Sequence, residues 1–101
     1  MFTNTTLTEL RKALMTKVDH AQYVVGQETK DAQLEHEAML EDGKVVFDFS
    51  IDAAAHSGKT ISTVRLCGAD GSILAEKNEN ILCDANLGHV FYRFYAVITE
   101  V

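Results

Sequence analysis

Hydrophobic positions near the start of the chain recur every three or four residues. Between Thr6 and His20 these positions are Leu7, Leu10, Leu14 and Val18. Such spacing lays apolar side chains along one face of a helix. Thr6 and Glu9 also fit a capping box, in which each side chain satisfies a free backbone N–H of the other residue. We therefore predict an amphipathic helix of about four turns over residues 6–20.

The segment after this helix supports two different predictions. Tyr23–Val25 is a short β-prone run that Gly26 closes, whereas residues 27–40 are rich in strong helix formers. A helix over residues 27–40 would end with Gly43 just beyond its C-terminus. A strand over about residues 35–40 would instead pair with the chain that follows Gly43, because tertiary pairing often overrides propensity. Both alternatives remain open from the sequence.

Asp42 and Gly43 form a two-residue turn signal in front of a strongly alternating segment. Lys44–Ile51 carries its apolar side chains at every second position, namely Val45, Phe47, Phe49 and Ile51. Alternation of this kind is typical of a strand with one buried face. The Asp-Gly pair favours a type I′ turn, so we predict a hairpin closed by Asp42 and Gly43.

A second Asp-Gly pair, Asp70 and Gly71, lies between two further β-prone segments. These segments are Thr60–Cys67 and Ser72–Lys77. The pattern predicts a second hairpin with its turn at Asp70 and Gly71. Residues 78–88 are polar and lack a clear period, so we predict irregular structure there.

The last segment, Val90–Val101, is apolar at both alternating sets of positions. One set is Val90, Tyr92, Phe94, Ala96 and Ile98, and the other is Phe91, Tyr95 and Val97. A strand with two apolar faces is usually central in its sheet and covered on both sides. We therefore predict a central strand at this end of the chain.

These elements together predict an α+β domain. In this prediction the N-terminal amphipathic helix packs on an antiparallel sheet of about five strands built from hairpins. The chain has 101 residues, of which 47% are hydrophobic and 24% are charged. Those values are typical of one globular domain, so we expect a single domain over residues 1–101.

The charge balance narrows the classes of partner. Nine Lys and Arg residues against fifteen Asp and Glu residues give a formal net charge of −6. Such a chain is repelled by phosphate backbones and anionic lipids, so we expect neither a nucleic acid nor a membrane partner. Residues 1–17 lack the apolar run of a signal peptide. We accordingly expect synthesis in the cytoplasm.

Cys67 and Cys83 are the only cysteines in the sequence. Two thiols are too few for the disulfide framework of a small secreted domain, so we expect both to be reduced. A single bridge between them remains an alternative, because spacing along the chain does not fix the distance between their Cα atoms.

Two loop patterns imitate ligand-binding motifs without meeting their requirements. Gly58-Lys59-Thr60 resembles the end of a phosphate-binding loop, but Ala53 stands where its first glycine belongs and a β-branched strand follows instead of a helix. The Asp-Gly turns lack carboxylates at the spacing of a calcium loop. We therefore expect no nucleotide and no calcium ion.

The histidines also fail to form a recognisable catalytic or metal-binding pattern. His20, His36, His56 and His89 are scattered without zinc-ligand spacing. His56 and Ser57 could combine with Asp52 in nucleophilic catalysis, but no Gly-x-Ser-x-Gly elbow is present. We therefore expect no enzymatic activity, no cofactor and no metal.

Four aromatic residues are concentrated near the end of the chain around Arg93, namely Phe91, Tyr92, Phe94 and Tyr95. Packing in the core is one interpretation, because a central strand needs bulky side chains. Aromatic residues beside an arginine are also typical of the centre of a protein interface. We take these four as candidate partner-interface residues and expect a homo-oligomer, because a small domain has limited core volume for rings.

The second predicted hairpin resembles a pattern in bacteriophage and prophage tail-fibre or tail-collar proteins. In that family a strand of the form Thr-Ile-x-x-Val-x-Leu enters an Asp-Gly turn, and the next strand ends in Leu-Ala or Ile-Ala. Thr60–Leu66 and Ala69–Ala75 match this form, and Phe2–Leu7 looks like the start of such proteins. The Pro- and Lys-rich stretch that commonly follows is replaced here by residues 76–84, which leaves the connection to the rest of a fibre undefined.

This resemblance implies a structural or assembly component of a virion, commonly oligomeric and without an active site. We therefore expect a non-enzymatic phage-like tail component that acts through protein–protein contacts. The alternative is a cytosolic small-ligand-binding domain or small enzyme, with His20, Tyr23 or His89 in a pocket between helix and sheet. A module that captures a peptide at an exposed sheet edge is a third possibility.

Overall fold

The computed structural model describes residues 2–98, which form one α-helix and seven strands. The helix, α1, spans Asn4–Lys17. The strands are β1 (His20–Val25), β2 (Glu28–Gln33), β3 (His36–Met39), β4 (Val45–Asp52), β5 (Thr60–Cys67), β6 (Ile73–Leu82) and β7 (His89–Ala96). The α+β class is confirmed, although the strands number seven rather than about five.

The strands form two antiparallel sheets instead of the single sheet that we predicted. One sheet has the order β2-β1-β5-β6, and the other has the order β3-β4-β7. Side chains from both sheets share one hydrophobic core; they include Tyr23, Val25, Phe47, Phe49, Ile61, Leu66 and Phe94. The two sheets therefore face each other across this core.

The helix begins and ends earlier than its hydrophobic pattern indicates. Thr3, not Thr6, is the N-cap, because the Thr3 hydroxyl accepts a hydrogen bond from the Thr6 amide at 3.2 Å. Val18 is already extended, and His20 begins β1. No residue of α1 itself is buried. Only the end of the apolar stripe reaches the core, where Leu14 packs and Val18 is buried.

The helix alternative for residues 27–40 is wrong, because β2 and β3 occupy this segment. All six residues of β2 pair with β1, and β3 pairs with β4. Gly26, with a φ of 60°, makes the sharp reversal between β1 and β2. Backbone pairing with neighbouring strands therefore outweighs the helical propensity of these side chains.

Asp42 and Gly43 lie in the turn between β3 and β4, but its geometry is not type I′. A type I′ turn needs positive φ at both central residues, and among residues 2–98 only glycines have positive φ. The Gly43 amide donates to the Leu40 carbonyl at 2.9 Å, and the Leu40 amide donates to the Lys44 carbonyl at 2.8 Å. This pattern is a three-residue loop with glycine in the left-handed bulge position.

The turn at Asp70 and Gly71 repeats the same hydrogen-bond pattern between β5 and β6. In both turns the aspartate side chain accepts the amide two residues later, from Lys44 or from Ser72. The Asp-Gly signal therefore located both hairpins correctly. The expected irregular segment is wrong over residues 78–82, because β6 continues to Leu82 and pairs with Thr60.

The prediction of a central terminal strand is wrong. β7 ends at Ala96 and, within residues 2–98, pairs only with β4. It is therefore an edge strand, and β4 is central in the three-stranded sheet. The two apolar faces of β7 therefore do not mean that this strand is covered on both sides by other parts of the chain. Residues 99–101 of the predicted strand lie outside the described residues.

The alternative of a disulfide between Cys67 and Cys83 is also wrong. Both thiols are free and buried. Cys67 ends β5, whereas the Cys83 amide donates to the Lys59 carbonyl beside the start of β5. The first and last residues of β5 are seven residue steps apart, which is roughly 23 Å along the strand. This distance is far beyond the reach of a disulfide bridge.

Candidate functional site

The four candidate interface residues of β7 divide between the two faces of their sheet. Tyr92 and Phe94 point into the core and are 9% and 4% exposed. Phe91 and Tyr95 point away from it and are 62% and 48% exposed. The interface prediction therefore narrows to Phe91 and Tyr95. We call the outward-facing residues of this segment, His89, Phe91, Arg93, Tyr95 and Val97, the β7 patch.

Local structure before β7 fixes where this strand begins. The Asp84 side chain accepts the Asn86 amide at 2.9 Å and caps a short 3₁₀ turn over Ala85–Leu87. Gly88 follows with a φ of 63°, which favours glycine. All eight residues of β7 then pair with β4 without a register shift. Because the β7 backbone is regular, side chains of the β7 patch alternate along the strand with side chains that point into the core.

Tyr92 is anchored in the core by a specific polar contact. Its hydroxyl donates a 2.6 Å hydrogen bond to Glu79 Oε1 on β6. Burial, together with this carboxylate, raises the pKa of Tyr92. Because Tyr92 links β7 to the opposite sheet, it holds the strand in place.

A buried carboxylate lies at the centre of the outer face of the three-stranded sheet. Asp48 is only 2% exposed, and Arg93 binds it through two bonds, Nε to Oδ1 at 2.8 Å and Nη2 to Oδ2 at 2.9 Å. His36 Nδ1 lies 3.0 Å from Oδ2. Register explains the cluster, because His36, Asp48 and Arg93 stand opposite one another on β3, β4 and β7.

The cluster has a clear electrostatic consequence. Hydrogen bonds from Arg93 hold the pKa of Asp48 below its ordinary value, with His36 adding to the effect and burial opposing it. The Asp48 carboxylate in turn raises the pKa of Arg93. The pair therefore stays ionised at neutral pH, and its two charges largely cancel within the face.

This shift predicts how folding stability responds to acid. The folded pKa of Asp48 is lower than its unfolded pKa, so its stabilising contribution is complete above about pH 4 and is lost as pH falls through the folded value. We expect Asp48→Asn to flatten the acid limb of the stability curve. Urea unfolding of both proteins over a pH series would measure this, and parallel curves below pH 4 would contradict it.

Other contacts complete the outer face around the cluster. The Ser50 hydroxyl donates to Glu35 Oε2 at 2.6 Å. The Lys44 ammonium lies 5.9 Å from the centre of the Tyr95 ring, and Val46, paired with Tyr95 in the register, is fully buried. Polar groups on this face therefore have partners within the chain, while the rings of the β7 patch remain open to contact.

The edge formed by β7 is less protected than the other sheet edges of the described chain. β2 carries exposed charges at Glu28, Lys30 and Asp31, and β3 has only four residues. β6 carries charged residues, and its pairing with β5 is interrupted by register shifts. β7, by contrast, is eight residues long and regular, and its one Lys, Arg, Asp or Glu residue, Arg93, is already bound by Asp48. Long regular edges without these safeguards are prone to pair with another strand.

The residues considered for nucleophilic catalysis do not form a triad. The Asp52 carboxylate accepts the Ala55 amide at 3.2 Å, and the Ser57 hydroxyl accepts the Ala85 amide at 3.2 Å. His56 instead meets the Tyr23 hydroxyl at 3.5 Å and packs edge-on against that ring. These side chains therefore stabilise loops at one end of the sheets.

The predicted pocket residues do not converge either. One surface cavity of about 410 Å³ is lined by Val18, Asp19, Leu34, Glu35, His36 and Glu37. Another, of about 570 Å³, is lined by Ala13, Thr16, Lys17, Ala69 and Asp70. His20, Tyr23 and His89 belong to neither lining. In the first cavity Glu35 is held by Ser50 and His36 by Asp48, so these groups already have partners.

Within residues 2–98, no three His, Cys, Asp or Glu side chains are grouped so that they could hold a metal ion. None of the helices in the same range has the length and apolar content of a membrane span.

Asp48 and His36 are the part of the site that sequence reasoning missed. An aspartate inside the apolar strand segment Val45–Phe49 is a signal, because a buried carboxylate requires a partner. The sequence does not identify that partner, since Arg93 lies 45 residues further along the chain.

Comparison of the chain with protein families, with characterised proteins and with solved structures finds no match.

Proposed function

We propose that this protein is a non-enzymatic assembly component that binds another protein through the β7 patch and the adjoining strand edge. One observation carries the proposal: the longest regular unprotected edge also presents two large exposed rings, Phe91 and Tyr95, on either side of Arg93. The backbone of the β7 edge and the exposed side chains of the β7 patch are therefore available to the same partner.

The composition of the β7 patch suits protein recognition. Aromatic residues and arginine are enriched at the energetic centres of protein interfaces, because they bury a large area with few rotatable bonds. Arg93 is 37% exposed while it binds Asp48. A partner that covers Arg93 therefore buries an ion pair whose two charges already balance each other within the chain. Burying this pair costs less desolvation free energy than burying an unpaired charge.

We place this assembly in a phage-like tail, where the protein would be made in the cytoplasm and incorporated into a virion. Support comes from the hairpin of β5 and β6, whose Asp70-Gly71 turn lies where the tail-protein pattern has its turn. Structural proteins of this kind act through contacts between subunits, which agrees with an exposed aromatic edge.

Site-specific photo-crosslinking in the producing organism tests the proposal. Phe91 is replaced by the photoreactive p-benzoylphenylalanine, which keeps a large aromatic side chain at the patch. Ser62, exposed on β5 in the other sheet, receives the same group as a matched control. We expect a protein adduct from position 91 and none from position 62.

The mass of the adduct distinguishes the partners. Twice the mass of the 11.2 kDa chain indicates a second copy, and any other mass indicates a different protein. Either adduct supports the proposed function. Absence of any adduct from position 91, or equal adducts from both positions, would overturn it.

A further inference from the structure

The sequence of β7 is close to self-complementary about Arg93. Positions at equal distance on either side of Arg93 carry similar residues. These pairs of positions are Tyr92 and Phe94, Phe91 and Tyr95, and Val90 and Ala96. Each aromatic position therefore mirrors an aromatic position, and each aliphatic position mirrors an aliphatic one. A contact across a twofold axis requires this kind of symmetry, because one surface must fit itself.

We infer that the partner is a second copy of this chain, joined by antiparallel pairing of β7 with the partner's β7 about a twofold axis at Arg93. This inference rests on the proposed function and identifies its partner. The two three-stranded sheets would become one continuous six-stranded sheet, and each β7 edge would satisfy the other's free backbone groups.

The pairing brings complementary side chains together on both faces. On the outer face Phe91 stands opposite the partner's Tyr95, and on the inner face Tyr92 stands opposite the partner's Phe94. Residues directly opposite in an antiparallel pair have Cβ atoms about 4.5–5.5 Å apart. Aromatic side chains at this spacing are in contact, so the rings that are 62% and 48% exposed in one chain become covered.

Electrostatic repulsion between two copies is weaker at β7 than the net charge of the whole chain suggests. None of the fifteen Asp and Glu residues of the chain lies on β7, and the only Lys or Arg residue of this strand is Arg93. Arg93 would meet the partner's Arg93 at the axis, but each guanidinium is held by its own Asp48 at 2.8 and 2.9 Å. The axis therefore carries two ion pairs rather than two unpaired cations.

Disulfide trapping in the purified full chain tests both the partner and the register. In the inferred pairing His89 lies opposite the partner's Val97, and both positions are exposed. The double variant His89→Cys plus Val97→Cys should therefore form intermolecular disulfides under mild oxidation. Within one chain these positions are about 27 Å apart along the strand, so an internal bridge is excluded.

The single variants His89→Cys and Val97→Cys are matched controls. In the inferred register each new thiol lies about 27 Å from its own counterpart in the partner, so neither single variant should cross-link. Cys67 and Cys83 are buried in the unsubstituted chain, so we expect neither to cross-link under mild oxidation. We expect the non-reducing gel mass to double from 11.2 kDa only in the double variant. Light scattering of the unmodified chain should show a dimer that Phe91→Ala weakens.

Each other outcome overturns the inference. Cross-linking of a single variant would indicate a different register, and a monomer at every concentration would exclude self-pairing. A monomer whose Phe91 nonetheless captures a different protein in photo-crosslinking leaves the proposed function standing. If disulfide trapping and photo-crosslinking at position 91 both give no adduct, the proposed function is wrong as well.

Discussion

Replacing Arg93 with methionine is expected to cause one of the largest losses of stability that a single residue of this face can produce. The methionine keeps the apolar stem but removes the cation that binds Asp48, whose side chain is 2% exposed. An uncompensated buried Asp48 carboxylate costs about 3 kcal/mol, at the low end of the usual range because His36 still lies 3.0 Å away. Urea unfolding at neutral pH would measure the change.

A second ion pair provides the control for this prediction. Arg65 Nε binds Glu76 Oε2 at 2.8 Å, the same distance as in the Arg93 pair, but the Glu76 side chain is 47% exposed. We expect Arg65→Met to cost less than about 1 kcal/mol, because water replaces the lost cation. Adding Asp48→Asn to Arg93→Met should restore part of the stability, since no buried charge then remains. Equal losses for Arg65→Met and Arg93→Met would contradict the argument.

Phe94→Ala is the other substitution for which we expect a large effect. Phe94 is 4% exposed and belongs to the core shared by both sheets. Removing a buried phenylalanine ring leaves a cavity and costs about 3–5 kcal/mol. Chemical denaturation of the variant, followed by circular dichroism, would show the loss as a lower midpoint.

Phe91→Ala on the same strand is the matched comparison. Phe91 is 62% exposed, so the same substitution should change the stability of the single chain by less than about 0.5 kcal/mol. Both proteins should be measured at the lowest practical concentration, because association would add to the apparent stability. A loss for Phe91→Ala that equals the loss for Phe94→Ala would mean that the assignment of faces on β7 is wrong.

Several elements could be predicted because their signals are local. The two Asp-Gly pairs located both hairpins, since a glycine with positive φ is needed wherever the strand reverses in this way. The alternation from Val45 to Ile51 identified β4, and Thr60–Cys67 matched β5 at both ends. Such patterns depend only on side chains within one strand or turn.

Other elements depend on residues distant in the chain and were predicted wrongly or left open. Four of the six residues 28–33 are strong helix formers, yet this segment is held as β2 by pairing with β1. The two apolar faces of β7 indicated a central strand, whereas the observed strand lies at an edge. The sequence pattern could not separate apolar side chains that are buried within the chain from apolar side chains that are exposed at a sheet edge.

The candidate site shows the same division. Phe91 and Tyr95 were recognised as interface candidates from composition alone, but Tyr92 and Phe94 belong to the core. Asp48 and His36 went unrecognised, since their contact with Arg93 exists only where β3, β4 and β7 are aligned side by side. Spacing along the chain contains no information about that alignment.

The sequence by itself determined the class of the fold, the positions of both Asp-Gly hairpins and the concentration of aromatic residues around Arg93. Only the tertiary structure decided that the strands divide into two sheets, that β7 lies at an edge, and that the Arg93 charge is balanced by a buried Asp48. The physical reason is that turn geometry and side-chain alternation arise from neighbouring residues. Strand order, burial and ion pairing instead arise from contacts between distant segments, which compete for the same core and the same backbone hydrogen bonds.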